Sequence, residues 1–174
     1  VPGRLLAEIA SKLPNAPVDF ETDGTKVLVR CGSTKFSLLT MDVEAYPTLP
    51  ELSEVTGTIS GDDFQETVAQ VALAASRDEV TPVLAGVRIE ASAKNLTFIA
   101  TDRYRVALRE TPWTSNGNVD GLGAIVPART LQEVAKTFGN QGEIAISIAR
   151  LSDDKEMIAF RANNRSVTSL LIKG

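Results

Sequence analysis

One fifteen-residue stretch occurs twice in this chain. Val1–Asn15 reads VPGRLLAEIASKLPN and Val126–Asn140 reads VPARTLQEVAKTFGN. Aligning them pairs Val, Pro, Arg4 with Arg129, Leu6 with Leu131, Glu8 with Glu133, Ala10 with Ala135 and Asn15 with Asn140, seven identities in fifteen positions. Ile9/Val134 and Leu13/Phe138 exchange one apolar residue for another. The implied period of 125 residues is far longer than the roughly 20–50 of a solenoid, so repeated domains or half-domains are expected. A length of 174 residues holds one domain and a fraction, and 43% hydrophobic residues are enough for a sizeable core. The first residue falls inside a repeat unit, so the chain is expected to be a piece of a longer protein.

The apolar spacing divides the chain into units. Leu6, Ile9, Ala10 and Leu13 predict a helix over Val1–Leu13, with Pro2 in its first turn and Pro14 as its stop. Strands are expected at Val18–Thr22, Lys26–Cys31 and Lys35–Thr40, punctuated by Asp23-Gly24 and Gly32-Ser33. Asp42–Glu54, with Pro47 and Pro50 among acidic residues, reads as a connector. A second unit opens with a strand at Val55–Ile59. Ser60 suits a helix cap, Asp62 and Asp63 suit the positive end of the dipole, and Phe64, Val68, Val71, Ala72 and Ala75 form an apolar helical face. Strands follow at Val87–Ala91, Leu96–Thr101 and Arg105–Arg109. After a polar loop at Trp113–Gly123, with Asn116-Gly117 and Asp120-Gly121, come a strand at Ala124–Val126 and the second copy of the helix. Strands at Glu143–Ile148, Glu156–Ala162 and Ser166–Ile172 close the chain. Arg161 echoes Arg30 and Ser169-Leu-Leu echoes Ser37-Leu-Leu, so the last strand repeats along with the helix. Three units of order strand–helix–strand–strand–strand, the first without its opening strand, predict an α+β fold with helices on one face of antiparallel sheets.

Most enzyme templates fail. The chain has no histidine, which removes Ser-His-Asp and Cys-His arrangements, histidine zinc sites and the commonest general base. It has no phosphate-binding or dinucleotide-binding glycine loop and no C-x-x-C pair. No metal site and no cofactor is expected. Cys31, the single cysteine, reads as a small strand hydrophobe. Asp153-Asp154 and Asp62-Asp63 read as solvated or capping carboxylates, and Glu8 and Glu133 each stand four residues after an arginine, the spacing of an exposed helical pair. No apolar run reaches the ~20 residues of a membrane span, and a reducing, cytoplasmic setting is expected.

Two features carry more. Arg129 and Lys136 share a helical stripe almost opposite the apolar face of Leu131, Val134, Ala135 and Phe138. Arg4 repeats the place of Arg129, and Arg77 lies just past the middle helix. Such a stripe is either an ordinary solvated face or, because it recurs, a phosphate-contacting one. The second feature is Ala100–Leu108, ATDRYRVAL, in which a dense polar turn interrupts two strands. It is either a plain hairpin with Asp102 bonding its own backbone or, with Tyr104 between arginines, a recognition site.

The repeated VPxRxLxE helix, the Pro82-Val-Leu84-Ala-Gly86-Val stretch and the A-T-D-R-Y-R-V turn together resemble the bacterial DNA polymerase III beta subunit family, the sliding clamps, along the whole chain. The resemblance implies the DNA clamp fold, antiparallel sheets outside and helices lining a hole. It implies that residues 1–53 are the second half of clamp domain one and residues 54–174 the complete middle domain, in halves of about 54–113 and 122–174, with domain three absent. A non-catalytic DNA sliding clamp, or processivity factor, is implied, homodimeric when full length. It would encircle duplex DNA and bind the DNA polymerase III alpha subunit, the clamp loader and other proteins carrying a clamp-binding motif. Carried over residue by residue, Leu84, Thr101, Arg103, Tyr104, Arg105 and Val106 would line the partner-peptide pocket. Arg4, Arg77, Arg129 and Lys136 would face DNA, and Lys35, Phe36 and Leu38 would meet the other subunit of the ring. A peptide-binding module unrelated to DNA, and an α+β hydrolase fragment using Thr101, Asp102 and Arg105, are the alternatives.

Overall fold

A computed structural model describes residues 1–46, 54–78, 80–119, 121–152 and 155–174. The chain divides into two units, Val1–Leu49 and Pro50–Gly174. Residues 47–53 of the expected connector, Asp120 of the expected turn and the Asp153-Asp154 pair lie outside the described residues.

In the first unit, helix α1 (Gly3–Ala10) is shorter than its apolar spacing suggests. Pro2 is extended, and beyond Ala10 the bonds tighten, Lys12 N to Ile9 O at 2.9 Å and Leu13 N to Ala10 O at 3.4 Å, as at many helix ends. Strands β1 (Val18–Asp23), β2 (Lys26–Cys31) and β3 (Thr34–Leu39) form an antiparallel sheet in that order. Alternation places Val27, Val29, Phe36 and Leu38 on the α1 side, where Ile9, Val29 and Leu38 are buried with Leu6, Leu13, Val27 and Phe36 packed around them. Phe20 lies opposite Val29 and shares that face, yet it is 61% exposed. The apolar face of this sheet is wider than the helix that covers it.

The second unit contains β4 (Gly57–Ser60), α2 (Gly61–Val71) with a 3-10 turn at Ala72–Ala74, a second 3-10 turn at Pro82–Ala85, β5 (Gly86–Ala91), β6 (Asn95–Thr101), β7 (Val106–Pro112), β8 (Thr114–Ser115), β9 (Gly123–Pro127), α3 (Ala128–Phe138), β10 (Glu143–Ser152), β11 (Lys155–Ala162) and β12 (Arg165–Leu170). Three expectations are corrected. Trp113–Gly123 is not wholly a polar loop: it contains β8, and Trp113 is buried with its indole N–H donating to Ser92 O at 2.8 Å. Ser60 occupies the cap position of α2, but its hydroxyl makes no cap bond. Instead Gly61 N donates to Gly142 O at 2.6 Å, and a Cβ at Gly61 would stand 2.8 Å from Gly139 O, so the start of α2 is pressed onto the end of α3. The last strand ends at Leu170, and Ile172 N turns to donate to Ile125 O at 2.8 Å.

The sheets run β12-β11-β10-β4-β8 and β7-β6-β5-β9. Each half lends its opening strand to the other: β4 pairs with β10, Ile59 opposite Ile144, and β9 pairs with β5, Val126 opposite Val87. Both helices bury their apolar faces in one continuous core with the inner faces of the two sheets. Phe64 of α2 stands at its centre, fully buried, with its ring 6.2 Å from Phe98 of β6 and 5.5 Å from Phe160 of β11. Among the described residues no helix is long and apolar enough to cross a membrane.

Candidate functional site

The turn between β6 and β7 is held by its own side chains. Thr101 Oγ1 accepts from Arg103 N at 3.1 Å and donates to Arg105 O at 2.8 Å. Asp102 Oδ1 accepts from the backbone N–H groups of Tyr104 and Arg105, each at 3.1 Å. Capturing Arg105 O in this way delays β7 to Val106, one residue later than its sequence suggests. Arg105 then closes the structure, with Nε on Asp102 Oδ2 at 3.0 Å and Nη2 on Leu73 O at 2.7 Å. Burial raises the Asp102 carboxyl, but the bonds from Tyr104 N, Arg105 N and the Arg105 side chain, with the Arg105 charge, together outweigh it and hold the group below the usual aspartate range.

Leu84, half-buried in the 3-10 turn before β5, is tied to the same place: Ser76 N donates to Leu84 O at 2.7 Å. The stretch from Leu73 to Ser76 therefore anchors both Leu84 and Arg105, which stand 21 positions apart in the chain. Two roles foreseen for Asp102 and Arg105 are sharpened. Asp102 bonds backbone as expected, but it also orients Arg105, and the Arg105 guanidinium is spent on holding the turn to the end of α2. Tyr104 and Val106 stand outward, 93% and 69% exposed.

The expected phosphate-facing residues are partly brought together. A cavity of about 950 Å³ between the end of α2, the 3-10 turn and the start of α3 is lined by Arg77, Arg105, Arg129, Pro82, Gln132 and Glu133, among others. Arg77 and Arg129 make no hydrogen bond or ion pair among the described residues. Lys136 is exposed in the last turn of α3, away from that cavity. Arg4, in the first unit, spends its charge on Glu8 at 3.7 Å, whereas the matching Arg129 and Glu133 do not pair. Both members of the Arg4–Glu8 pair are well exposed, so it contributes little. Of the three residues expected at a subunit interface, Lys35 is exposed, Phe36 is half-buried, and Leu38 is buried against α1. Among the described residues, no cluster of His, Cys, Asp or Glu could hold a metal ion.

Family models match both parts of the chain: the DNA polymerase III beta subunit central domain over residues 58–174 and its N-terminal domain over residues 1–50. The chain belongs to the DNA polymerase III beta subunit family, the beta sliding clamps. Among similar clamps, that of Streptomyces coelicolor is 43% identical over 174 residues, covering 100% of this chain and 46% of the relative. That of Micrococcus luteus is 44% identical, covering 100% and 55%. The chain thus spans about half the length of the curated clamps it matches. Solved clamp structures agree: the Bacillus subtilis sliding clamp superposes with a TM-score of 0.85 at 28% identity, covering 98% of this chain and 44% of that one. The DNA polymerase III subunit beta of Pseudomonas aeruginosa gives 0.86 at 26%, covering 100% and 47%. The α+β clamp fold is shared with these relatives; among the described residues it comprises antiparallel sheets and three α-helices.

Within this clamp chain the sequence left some participants unseen. The Leu73 carbonyl, which receives Arg105, carries no side-chain signature. Gln132 and Ile172 line the cavity at positions that no motif specifies. A signal did exist for the role of Asp102, since an aspartate two and three residues before free backbone N–H groups is an Asx-turn pattern.

Proposed function

We propose that this chain is part of a processivity factor, a non-catalytic ring that encircles duplex DNA and tethers a replicative polymerase and other partners. Residues 1–53 are then the second half of clamp domain one and residues 54–174 the middle domain, in halves of about 54–113 and 122–174. Membership of the clamp family over both units is the observation that carries the reading. The exposure of Phe20 supports the half-domain assignment. Its counterpart in the second unit, by register against β11, is Ile146, which is 2% exposed; the complete second unit covers this position with a shared core.

Arg77 and Arg129, unpaired on one cavity wall, are the strongest candidates for meeting the phosphate backbone, with Lys136 and Arg4 as weaker contributors. A ring that retains DNA by topology needs only such scattered charges, because many tight contacts would impede sliding. The net charge of −4 leaves the outer surface unfavourable to DNA. Leu84, Thr101, Arg103, Tyr104 and Val106 form the partner-peptide site on the middle domain, with Arg105 as its anchor. The polymerase III alpha subunit, the clamp loader and other proteins with a clamp-binding motif are its occupants. The edge of β3, with Lys35 and Phe36 and with Leu38 behind them, meets the second subunit of a cytoplasmic homodimer.

Topology separates this reading from a peptide-binding module unrelated to DNA. The full-length protein, loaded by its clamp loader onto nicked circular DNA, should remain bound through gel filtration and should be lost when the circle is linearised. Equal retention on the two forms, or none on either, would refute encirclement.

A further inference from the structure

The second central residue of the β6–β7 turn is an arginine where the backbone calls for glycine. Arg103 has φ of +79°, in the left-handed region that L side chains rarely adopt. The bonds of Thr101 and Asp102 on either side over-determine this conformation, so the fold tolerates the strain without needing that side chain. The guanidinium returns nothing to the fold: among the described residues it makes no hydrogen bond and no ion pair. The neighbouring cation, Arg105, is neutralised by Asp102 at 3.0 Å, which leaves Arg103 as the unpaired charge of the turn. Next to it lie Tyr104, 93% exposed, and then Val106 and Leu108 at 69% and 61% on alternate positions of β7. β7 is an edge of its sheet. The surface thus presents, in order, a free guanidinium, an aromatic ring and two aliphatic side chains. Strain retained at a position that yields no internal contact points to an external use.

We propose that Arg103 is a specificity-determining residue that reads a carboxylate, an Asp or Glu side chain set beside the apolar anchors of a partner peptide. The inference rests on the peptide-site reading above and deepens it. A guanidinium donates two parallel bonds to a carboxylate, and the aromatic and aliphatic strip beside it takes the apolar side chains that supply most of the affinity. The carboxylate contributes discrimination, since its amide analogue leaves the cation unpaired.

The test uses the full-length protein and a phage library of random short peptides, panned against wild type and Arg103→Gly. Wild-type selections should carry an acidic residue next to apolar ones, and Arg103→Gly selections should keep the apolar residues and lose the acid. By fluorescence anisotropy, the best wild-type peptide should bind about tenfold more tightly than its acid-to-amide analogue. That difference should vanish on Arg103→Gly and return in part on Arg103→Lys. Arg103→Gly should unfold at the same temperature as wild type or higher, because glycine relieves the left-handed strain, so lost discrimination cannot be ascribed to lost folding. The inference is overturned if the acid-to-amide change costs the same on both proteins, or if Arg103→Gly loses DNA retention while peptide discrimination persists. If Leu84→Ala leaves affinity for every selected peptide unchanged, the peptide-site reading itself falls; if Leu84→Ala abolishes binding while Arg103→Gly changes nothing, only the present inference falls.

Discussion

Replacing Phe64 by alanine should destabilise both sheets of the second unit together. Phe64 is fully buried, and its ring contacts Phe98 in one sheet and Phe160 in the other. Truncating a buried phenylalanine costs about 3–5 kcal/mol through lost transfer energy and the cavity left behind, and two aromatic neighbours place this site toward the middle or upper part of that range. A loss of about 4 kcal/mol corresponds to roughly three decades in the population of the open state, at about 1.4 kcal/mol per decade. Because each half lends its opening strand to the other half's sheet, neither half can open without drawing a strand out of both sheets. Amide hydrogen exchange in the full-length protein, resolved by peptide, should therefore quicken in β6 and in β11 by the same factor. The matched control is Leu73→Ala, 55% exposed, which should change stability by no more than about 0.5 kcal/mol. Acceleration confined to one sheet, or a loss below about 1 kcal/mol, would refute the shared-core argument.

Leu84→Ala combined with Tyr104→Ala should weaken clamp-binding peptides by about tenfold to a hundredfold while the oligomeric state, read by light scattering, stays that of wild type; unchanged affinity would remove the pocket assignment. Charge reversal of Arg129 and Lys136 should reduce DNA loading and flatten the dependence of log affinity on log salt, by roughly one unit for each phosphate no longer neutralised. If neither quantity moves, these residues do not face DNA. Asp102 sets a pH dependence with a definite sign. Its folded pKa is lowered, so its bonds to the turn are complete above the ordinary aspartate value of about 4 and are lost as pH falls through the lower folded value. The amide resonances of Tyr104 and Arg105 should titrate with a midpoint below that ordinary value and should not titrate in Asp102→Asn. A midpoint at or above it would contradict the turn geometry.

The period-two and helical spacings were legible from residues alone, because each reports which side of an element faces the core, and that requirement is local. Hence Lys26–Cys31 matches β2 to the residue, and Leu131, Val134, Ala135 and Phe138 all prove buried. The repeat was legible too, since duplicated positions keep their identities. Element ends were less so. α1 shortened because Pro2 stays extended and the bonds tighten beyond Ala10, and β7 began late because the Thr101 hydroxyl takes the Arg105 carbonyl, none of which the spacing encodes.

Partnership between distant segments is a different kind of fact. Nothing in the order of β4, α2 and β5 states that β4 pairs with β10, or that β9 crosses to β5; those choices follow from burying two apolar helix faces and two apolar sheet faces in one core. The same holds at the turn. Thr101, Asp102 and Arg105 can be read as a self-bonded hairpin, but the anchor for Arg105 is a backbone carbonyl at Leu73, and every residue has a carbonyl. Arg103 shows the division within a single residue: its charge is written in the chain, while its left-handed backbone and unpaired guanidinium exist only once the neighbouring side chains have locked the turn.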